Sequence, residues 1–224
     1  MTVSAAPVWS IAVEGPVAEG ECVRIGWPEE SELDAITALR NRSDVRRQFL
    51  DRRALDPDRN REWLRRGMNR PYEAVLAIRI KVNDALVGVI GWSKGDAVER
   101  SFELGRVMVD ARKLVRYRSF FPAGYPGVAV DAGIAMRDFA FTVLGLELVR
   151  MTVIEGNRLS LQAAIVGGGR VVGTRIHRRD DGGATRLIDL ECSREDWLRL
   201  GARRLGRFGP GATDQTRGAS VPSP

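Results

Sequence analysis

One histidine and two cysteines in 224 residues exclude several chemistries at the outset. A metal centre built on histidines has nothing to build from, and a histidine-based catalytic dyad would have to rest on His177 alone. His177 sits between Ile176 and two arginines with no serine or cysteine near it in a nucleophile arrangement, so it reads as a solvated strand residue. Cys22 and Cys192 lie near opposite ends of the chain and have neither the number nor the spacing of a zinc site. A chain that is 44% hydrophobic can fill a core without a disulfide, so both read as packing thiols rather than carriers of an acyl intermediate. No run of 18 apolar residues occurs, and the N-terminus lacks the basic-then-apolar pattern of a signal peptide. No membrane partner is therefore expected, and a cytoplasmic location is. Aromatic residues are sparse at 7% and do not interleave with the basic ones as in an RNA-binding sheet, which argues against nucleic acid as a partner.

What the sequence has is arginine. The formal charge is +6, and ten arginines against five acidic residues crowd positions 40 to 66. Arg112, Lys113, Arg116 and Arg118 form a second cluster. Such patches suit a phosphorylated cofactor or an acidic substrate, and equally a solvated face. The length fits one domain, expected over residues 21–205, with a flexible N-terminal extension at 1–20 and a disordered tail at 206–224. The tail is rich in Gly, Pro, Ser, Thr and Ala, with nothing to bury.

Periodicity sets out the elements. Glu21 to Trp27 alternates as a first strand, and Pro28 with Glu29, Glu30 and Glu32 suits a helix start. Leu33 to Leu50 is helical in pattern, and Pro57 to Met68 forms a second helix that buries Trp63 and Leu64, ended by Pro71 and Tyr72. Ala74 to Val82 and Ala85 to Ser93 make an antiparallel hairpin across Asn83-Asp84, and Ser101 to Val109 is the next strand. A loop, RKLVRYRSFFPAGYPG, precedes a helix at 128–144. Then come a strand from Leu146 to Ile154, a short helix from Leu159 to Val166 and two strands, Arg170 to His177 and Arg186 to Cys192, joined by Asp180-Asp181-Gly182-Gly183. A closing helix begins near Ser193, which with Asp196 forms a capping pattern. The fold class is α/β (α+β), a mixed but mostly antiparallel sheet flanked by helices.

Taken in order, these segments resemble the GNAT superfamily of N-acyltransferases, in the branch of ribosomal-protein-alanine acetyltransferases and amino-sugar N-acetyltransferases. The resemblance covers about residues 21–200. It rests on VRIGWPEESELDAITALRNRSDVRRQF, VIGW at 89–92, ELGRVMVD at 103–110, DFAFTVLGLELVRMTV, EGNRLSLQAA at 155–164 and RIHRRDDGGATRLIDLECSREDW. Arg40-Asn41 followed by Val45-Arg46 resembles the amino-sugar subgroup.

The resemblance implies acetyl-CoA or another acyl-CoA as cosubstrate, no metal, and direct transfer to an amine in a ternary complex. It implies that strand 101–109 splays from strand 146–154, with pantetheine along the backbone of Arg106, Met108 and Val109. Family members hold the pyrophosphate on a glycine-containing nest that opens the next helix. This sequence departs there: no such nest follows Asp110, only the longer RKLVRYRSFFPAGYPG, in which Gly124 and Gly127 are spaced for close backbone approach but Pro126 removes a donor, and Arg112, Arg116 and Arg118 are the expected replacements. Glu103 matches a carboxylate used by relatives to deprotonate the amine, with Asp110 as runner-up, and the plain alternatives are a surface carboxylate and a cap. Asn157 would bond the pantetheine arm, and Ser160 would face the sulfur or act as a helix cap. The usual tyrosine acid is missing from QAAIVGGG, leaving Tyr117 or Tyr125 as substitutes, and the loop at 112–127 is expected to fold over the cofactor phosphates or the acceptor, its phenylalanines forming a lid. The acceptor is expected to be a small-molecule amine, anionic or nucleotide-linked, such as an amino sugar or natural-product intermediate. A protein N-terminus as acceptor, a non-catalytic binding module and a homodimer stay open.

Overall fold

The computed structural model describes residues 17–67, 73–179 and 182–207. The expected extension and tail therefore lie outside the described residues over 1–16 and 208–224, as do Met68, Pro71, Tyr72, Asp180 and Asp181. Among the described residues eight strands form one sheet: β1 (Ala18–Glu19), β2 (Val23–Gly26), β3 (Ala74–Ile80), β4 (Ala85–Asp96), β5 (Ser101–Val109), β6 (Leu148–Ile154), β7 (Arg170–Arg178) and β8 (Ala184–Ser193). They lie in the order β1-β2-β3-β4-β5-β6-β8-β7, and only the β5–β6 pair is parallel. The sheet begins earlier than the sequence suggested. Val17 is buried, and β1 pairs with β2 through Ala18↔Ile25.

Helices cover both faces. On one side α1 (Leu33–Asn41), the short α2 (Ser43–Arg46) and α3 (Pro57–Gly67) bury Leu33, Ile36, Leu39 and Leu64 against Val89 and Met108. On the other, α5 (Val128–Asp138) carries the larger core, which includes Ile78, Phe102, Leu104 and Met136. A π turn over Phe139–Val143 extends α5, α6 (Arg158–Val166) follows β6, and α7 (Arg194–Arg207) closes the chain. Ser193 caps α7 as expected, its Oγ accepting from the Asp196 N–H at 3.1 Å.

The helix expected through Leu50 breaks at Arg42, whose ψ of 136° is extended. The cause is local. Asn41 accepts from the Leu55 N–H at 2.7 Å and donates to the Leu55 carbonyl at 2.8 Å, which folds segment 47–56 back on the end of α1 instead of letting the helix run on.

Two bulges shape β5 and its neighbour. Gly105 faces Gly91 and Met108 faces Val89, so β5 holds one extra residue, and Arg106 takes a left-handed φ of 54°. The extra residue turns Arg106 and Met108 onto the α1/α3 face, although Phe102 and Leu104 point to the α5 side. Lys94 has a left-handed φ of 52° at the matching irregularity in β4.

Candidate functional site

The site begins where β5 and β6 part. They pair only through Ser101↔Leu148, Phe102↔Val149 and Glu103↔Arg150, and beyond Glu103 no pairing continues. β6 stays bonded to β8 along its whole length, so its other edge is fixed while β5 turns away at the bulge. The result is the V-shaped notch expected from the sequence. At the far end the Asp110 N–H bonds the Val87 carbonyl at 2.8 Å, toward β4. Strand alternation then directs the Val109 N–H and C=O to the opposite edge, into the notch.

The N-terminus of α5 opens beside that edge. Gly127 caps it with φ 99° and ψ 154°, a conformation that side-chain-bearing residues rarely adopt. The N–H groups of the first turn have no acceptor within the helix and carry the positive end of its dipole. A concavity of about 480 Å³ lies in front, lined by Gly124, Tyr125, Gly127, Val128, Arg118 and Leu114 among others. The structure thus brings together Arg118, Gly124 and Gly127. Arg118 and the exposed Arg116 have no side-chain partner among the described residues.

Segment 111–127 is not the loop that was expected. It forms α4 (Ala111–Leu114) and a 3₁₀ turn over Val115–Phe120. Phe121 stacks on Tyr125 at 4.6 Å, and both line the concavity and pack against the core, with Tyr117, while Phe120 stays exposed.

Asp131, missed in the sequence, holds this arrangement. It is 5% exposed and accepts from the N–H groups of Glu21 (2.7 Å) and Cys22 (2.8 Å) and from the Tyr125 hydroxyl (2.9 Å). Burial, and then the charge of Asp131, push the Tyr125 phenol far above its usual range. Tyr125 is a strut rather than a proton donor. Tyr117 accepts from Asn83 Nδ2 at 3.2 Å at the end of the β3–β4 hairpin. A lone carboxylate among the apolar residues VAVDAGIAM was the available signal for Asp131.

Asp110, the runner-up base, and Arg112, an expected phosphate contact, lie away from the concavity. Asp110 caps α4 through the Arg112 N–H at 3.2 Å and binds Arg42 Nη1 at 2.6 Å. Its carboxylate is committed to structure, and Arg112 opens with it onto a different cleft between α1 and α4.

Glu103 lies on the α1/α3 face, 23% exposed at its side chain, with Oε2 2.5 Å from Lys94 Nζ. On the same face, Arg106 pairs with Glu73 and lies over the Trp63 ring, 5.0 Å from its centre. Lys94 and Glu73 carried no signal in the sequence, because bulge geometry brings them in. Past β6, Asn157 caps α6 by accepting from the Ser160 N–H at 3.2 Å, which leaves the Asn157 amide nitrogen and the Ser160 hydroxyl for other partners. His177 sits on edge strand β7 opposite Thr185.

Among the described residues no group of three or more His, Cys, Asp or Glu side chains could hold a metal ion, and no helix is long and apolar enough to cross a membrane.

No family model matches the chain, and no curated protein matches its sequence. Solved structures do resemble it. An acetyltransferase of the GNAT family from Bacillus anthracis is 19% identical, with 80% of this chain and 98% of that one covered and a TM-score of 0.64. Spermidine N-acetyltransferase from Vibrio cholerae, solved with CoA and spermine, is 15% identical over 79% of this chain and 98% of its own, with a TM-score of 0.67. FdhC, a nucleotide-linked sugar GNAT in its apo form, is 18% identical over 88% and 100%, with a TM-score of 0.64. At these identities the likeness is one of fold alone.

Proposed function

We propose that this protein is an acyl-CoA-dependent N-acyltransferase that moves an acetyl or other small acyl group onto the primary amine of a small anionic molecule. The observation that carries the proposal is the convergence on one edge of three features: the β5–β6 notch, the Gly127-capped start of α5, and the Arg118 concavity. A strand edge with free N–H and C=O groups suits the amide-bearing pantetheine arm. The α5 N-terminus and Arg118 suit a pyrophosphate, with Arg118 offsetting the donor that Pro126 lacks. Arg116, on the same 3₁₀ turn, adds positive charge beside it.

The chain's own residues then divide the work. Glu103 takes a proton from the acceptor ammonium, directly or through water, so that the free amine can attack the thioester carbonyl. Backbone N–H groups on the notch edge meet the charge that grows on that carbonyl oxygen. Asn157 bonds the pantetheine arm through its free amide nitrogen, and the Ser160 hydroxyl donates toward the departing sulfur.

The acceptor class follows from charge. Arg46, Arg47 and Arg52, in the segment that bounds the α1/α3 face, have no ion-pair partner among the described residues. A polyamine would meet repulsion there, whereas an amine bearing phosphate or carboxylate, such as a nucleotide-linked amino sugar, would be drawn in. Thiol release from acetyl-CoA, followed with anionic amines and with spermidine, tests the proposal. Turnover with an anionic amine and none with spermidine is expected. Turnover with spermidine alone would overturn the acceptor class, and coenzyme A binding without turnover on any amine would favour a non-catalytic binding module.

A further inference from the structure

The second cleft is lined by none of the residues of the β5–β6 notch. α1 presents Asp34, Thr37 and Asn41 to α3 and the segment before it: Arg61 binds Asp34, Asn60 Nδ2 donates to Thr37 Oγ1 at 2.7 Å, and Asn41 clamps Leu55. Positions one residue further round, Ala35, Ala38 and Arg42, therefore look away from α3, toward the start of β4 and α4. Because two of them are alanine, a cleft of about 330 Å³ remains, floored by Ile36, Leu39, Leu86 and Val87. That is at the small end of ligand pockets, which run from about 300 to 1,000 Å³.

Its mouth is charged. Arg42 is bound by Asp44 at 2.5 Å and Asp110 at 2.6 Å, and Lys113 Nζ donates to the Leu86 carbonyl at 3.0 Å. The Arg112 guanidinium is exposed at the rim, makes no hydrogen bond or close ion pair among the described residues, and is near enough to Asp44 for its charge to be felt there. Three cations (Arg42, Arg112, Lys113) thus stand against two carboxylates (Asp44, Asp110), an excess of one positive charge beside an apolar floor. We infer that this cleft binds a small amphiphilic monoanion, an aliphatic carboxylate whose chain lies on Ile36, Leu39 and Leu86 and whose head meets Arg112. A bare phosphate would leave the floor uncovered, and an aliphatic amine would meet the excess positive charge.

The inference does not depend on the acyltransferase proposal, since the cleft is separate from the notch, and its test needs no turnover. Backbone amide spectra of the full chain are recorded during titration with octanoate, with and without excess coenzyme A, and with acetate and octylamine as controls. Octanoate should shift amides in 35–42, 86–88 and 110–113 in both conditions, with the two controls at least about tenfold weaker. Ala38→Trp, at an exposed helix position, should fill the cleft and weaken octanoate by about tenfold or more, as should Arg112→Gln. Absence of any shift overturns the inference, as does acetate equal to octanoate (an adventitious anion only) or shifts confined to 104–109 and 150–154. So does undiminished octanoate binding in Ala38→Trp. Should Ala38→Trp fail to fold, Arg112→Gln decides the matter alone, and full octanoate affinity in that variant overturns it.

Discussion

Glu103 and Lys94 stand 2.5 Å apart on neighbouring strands, and the pair bears on when the carboxylate matters. Glu103→Gln keeps the shape of the side chain but removes both the ion pair with Lys94 and the group that would take the proton. Glu103→Gln should therefore slow acyl transfer by about a hundredfold below neutral pH, with coenzyme A affinity nearly unchanged. The loss should shrink above about pH 9, where primary amines begin to shed the proton unaided. A parallel pH–rate profile at full activity would remove Glu103 from the reaction. Two aspartates near the α1/α3 face should keep their charge further into acid than an ordinary carboxylate. Asp51 is held at about 2, below its ordinary 3.8, by the Arg53 side chain and then its N–H, and Asp44 is held at about 2 chiefly by Arg42. A depressed carboxylate contributes stability above its ordinary value and loses it as pH falls through the folded one. The Asp51–Arg53 turn should thus stay ordered at pH 5 and loosen between about pH 4 and pH 2. Carboxyl carbon shifts would show it, and a midpoint at the ordinary value would refute it.

At the level of elements, the junction between segment 111–127 and α5 decides whether a phosphate can be held. Gly127 is strained for any residue with a side chain, although a Cβ there would meet no atom within 4 Å. Gly127→Ala should therefore cost about 1–3 kcal/mol through backbone strain alone, read from the urea midpoint. Arg118→Ala should leave that midpoint nearly unchanged and weaken coenzyme A by about tenfold, or 1.4 kcal/mol, because the side chain is exposed and bonds nothing else. Calorimetry at two salt concentrations checks the cause, since loss of a phosphate contact should also flatten the salt dependence. Affinity equal to the parent's at both salts in a folded Arg118→Ala would shift the phosphate site to Arg116 or to the helix N-terminus by itself.

Across the whole molecule, Asp131 links residues more than a hundred positions apart, from the β1–β2 turn to the middle of the chain. Gly20 is part of that joint, because a Cβ there would stand 2.2 Å from an Asp131 oxygen. Asp131→Ala would strand the part-buried N–H groups of Glu21 and Cys22 and the Tyr125 hydroxyl. At roughly 1 kcal/mol or more for each unsatisfied group, the loss should reach about 3 kcal/mol. For a chain of this size that corresponds to about 6–12 °C in Tm, measured by calorimetry. Tyr125→Phe removes one partner only and should cost about a third as much. A Tm within a degree of the parent in Asp131→Ala would show that the joint is not a structural tie.

The local elements were legible in the sequence because hydrophobic period reports which face of a short segment is buried. Ser101–Val109 emerged with its observed bounds, α3 began at Pro57 as expected, and the strands from β2 to β8 followed in the expected order, while β1, the break before α2 and the helical turns over 111–120 were not foreseen. That order also carried the resemblance to the GNAT superfamily and the splay of β5 from β6. Other features needed the tertiary structure, each for the same reason: they depend on how elements meet rather than on how one repeats. Segment 111–127 became helical and turned its aromatic rings inward because core residues were there to receive them. The arginines 112 and 118, six apart in sequence, were sorted to different clefts by the turn between them. Lys94 reached Glu103, and Arg106 reached Glu73 and Trp63, only because bulges in paired strands rotate side chains out of simple alternation. A bulge belongs to two strands at once, and no period within either strand encodes it.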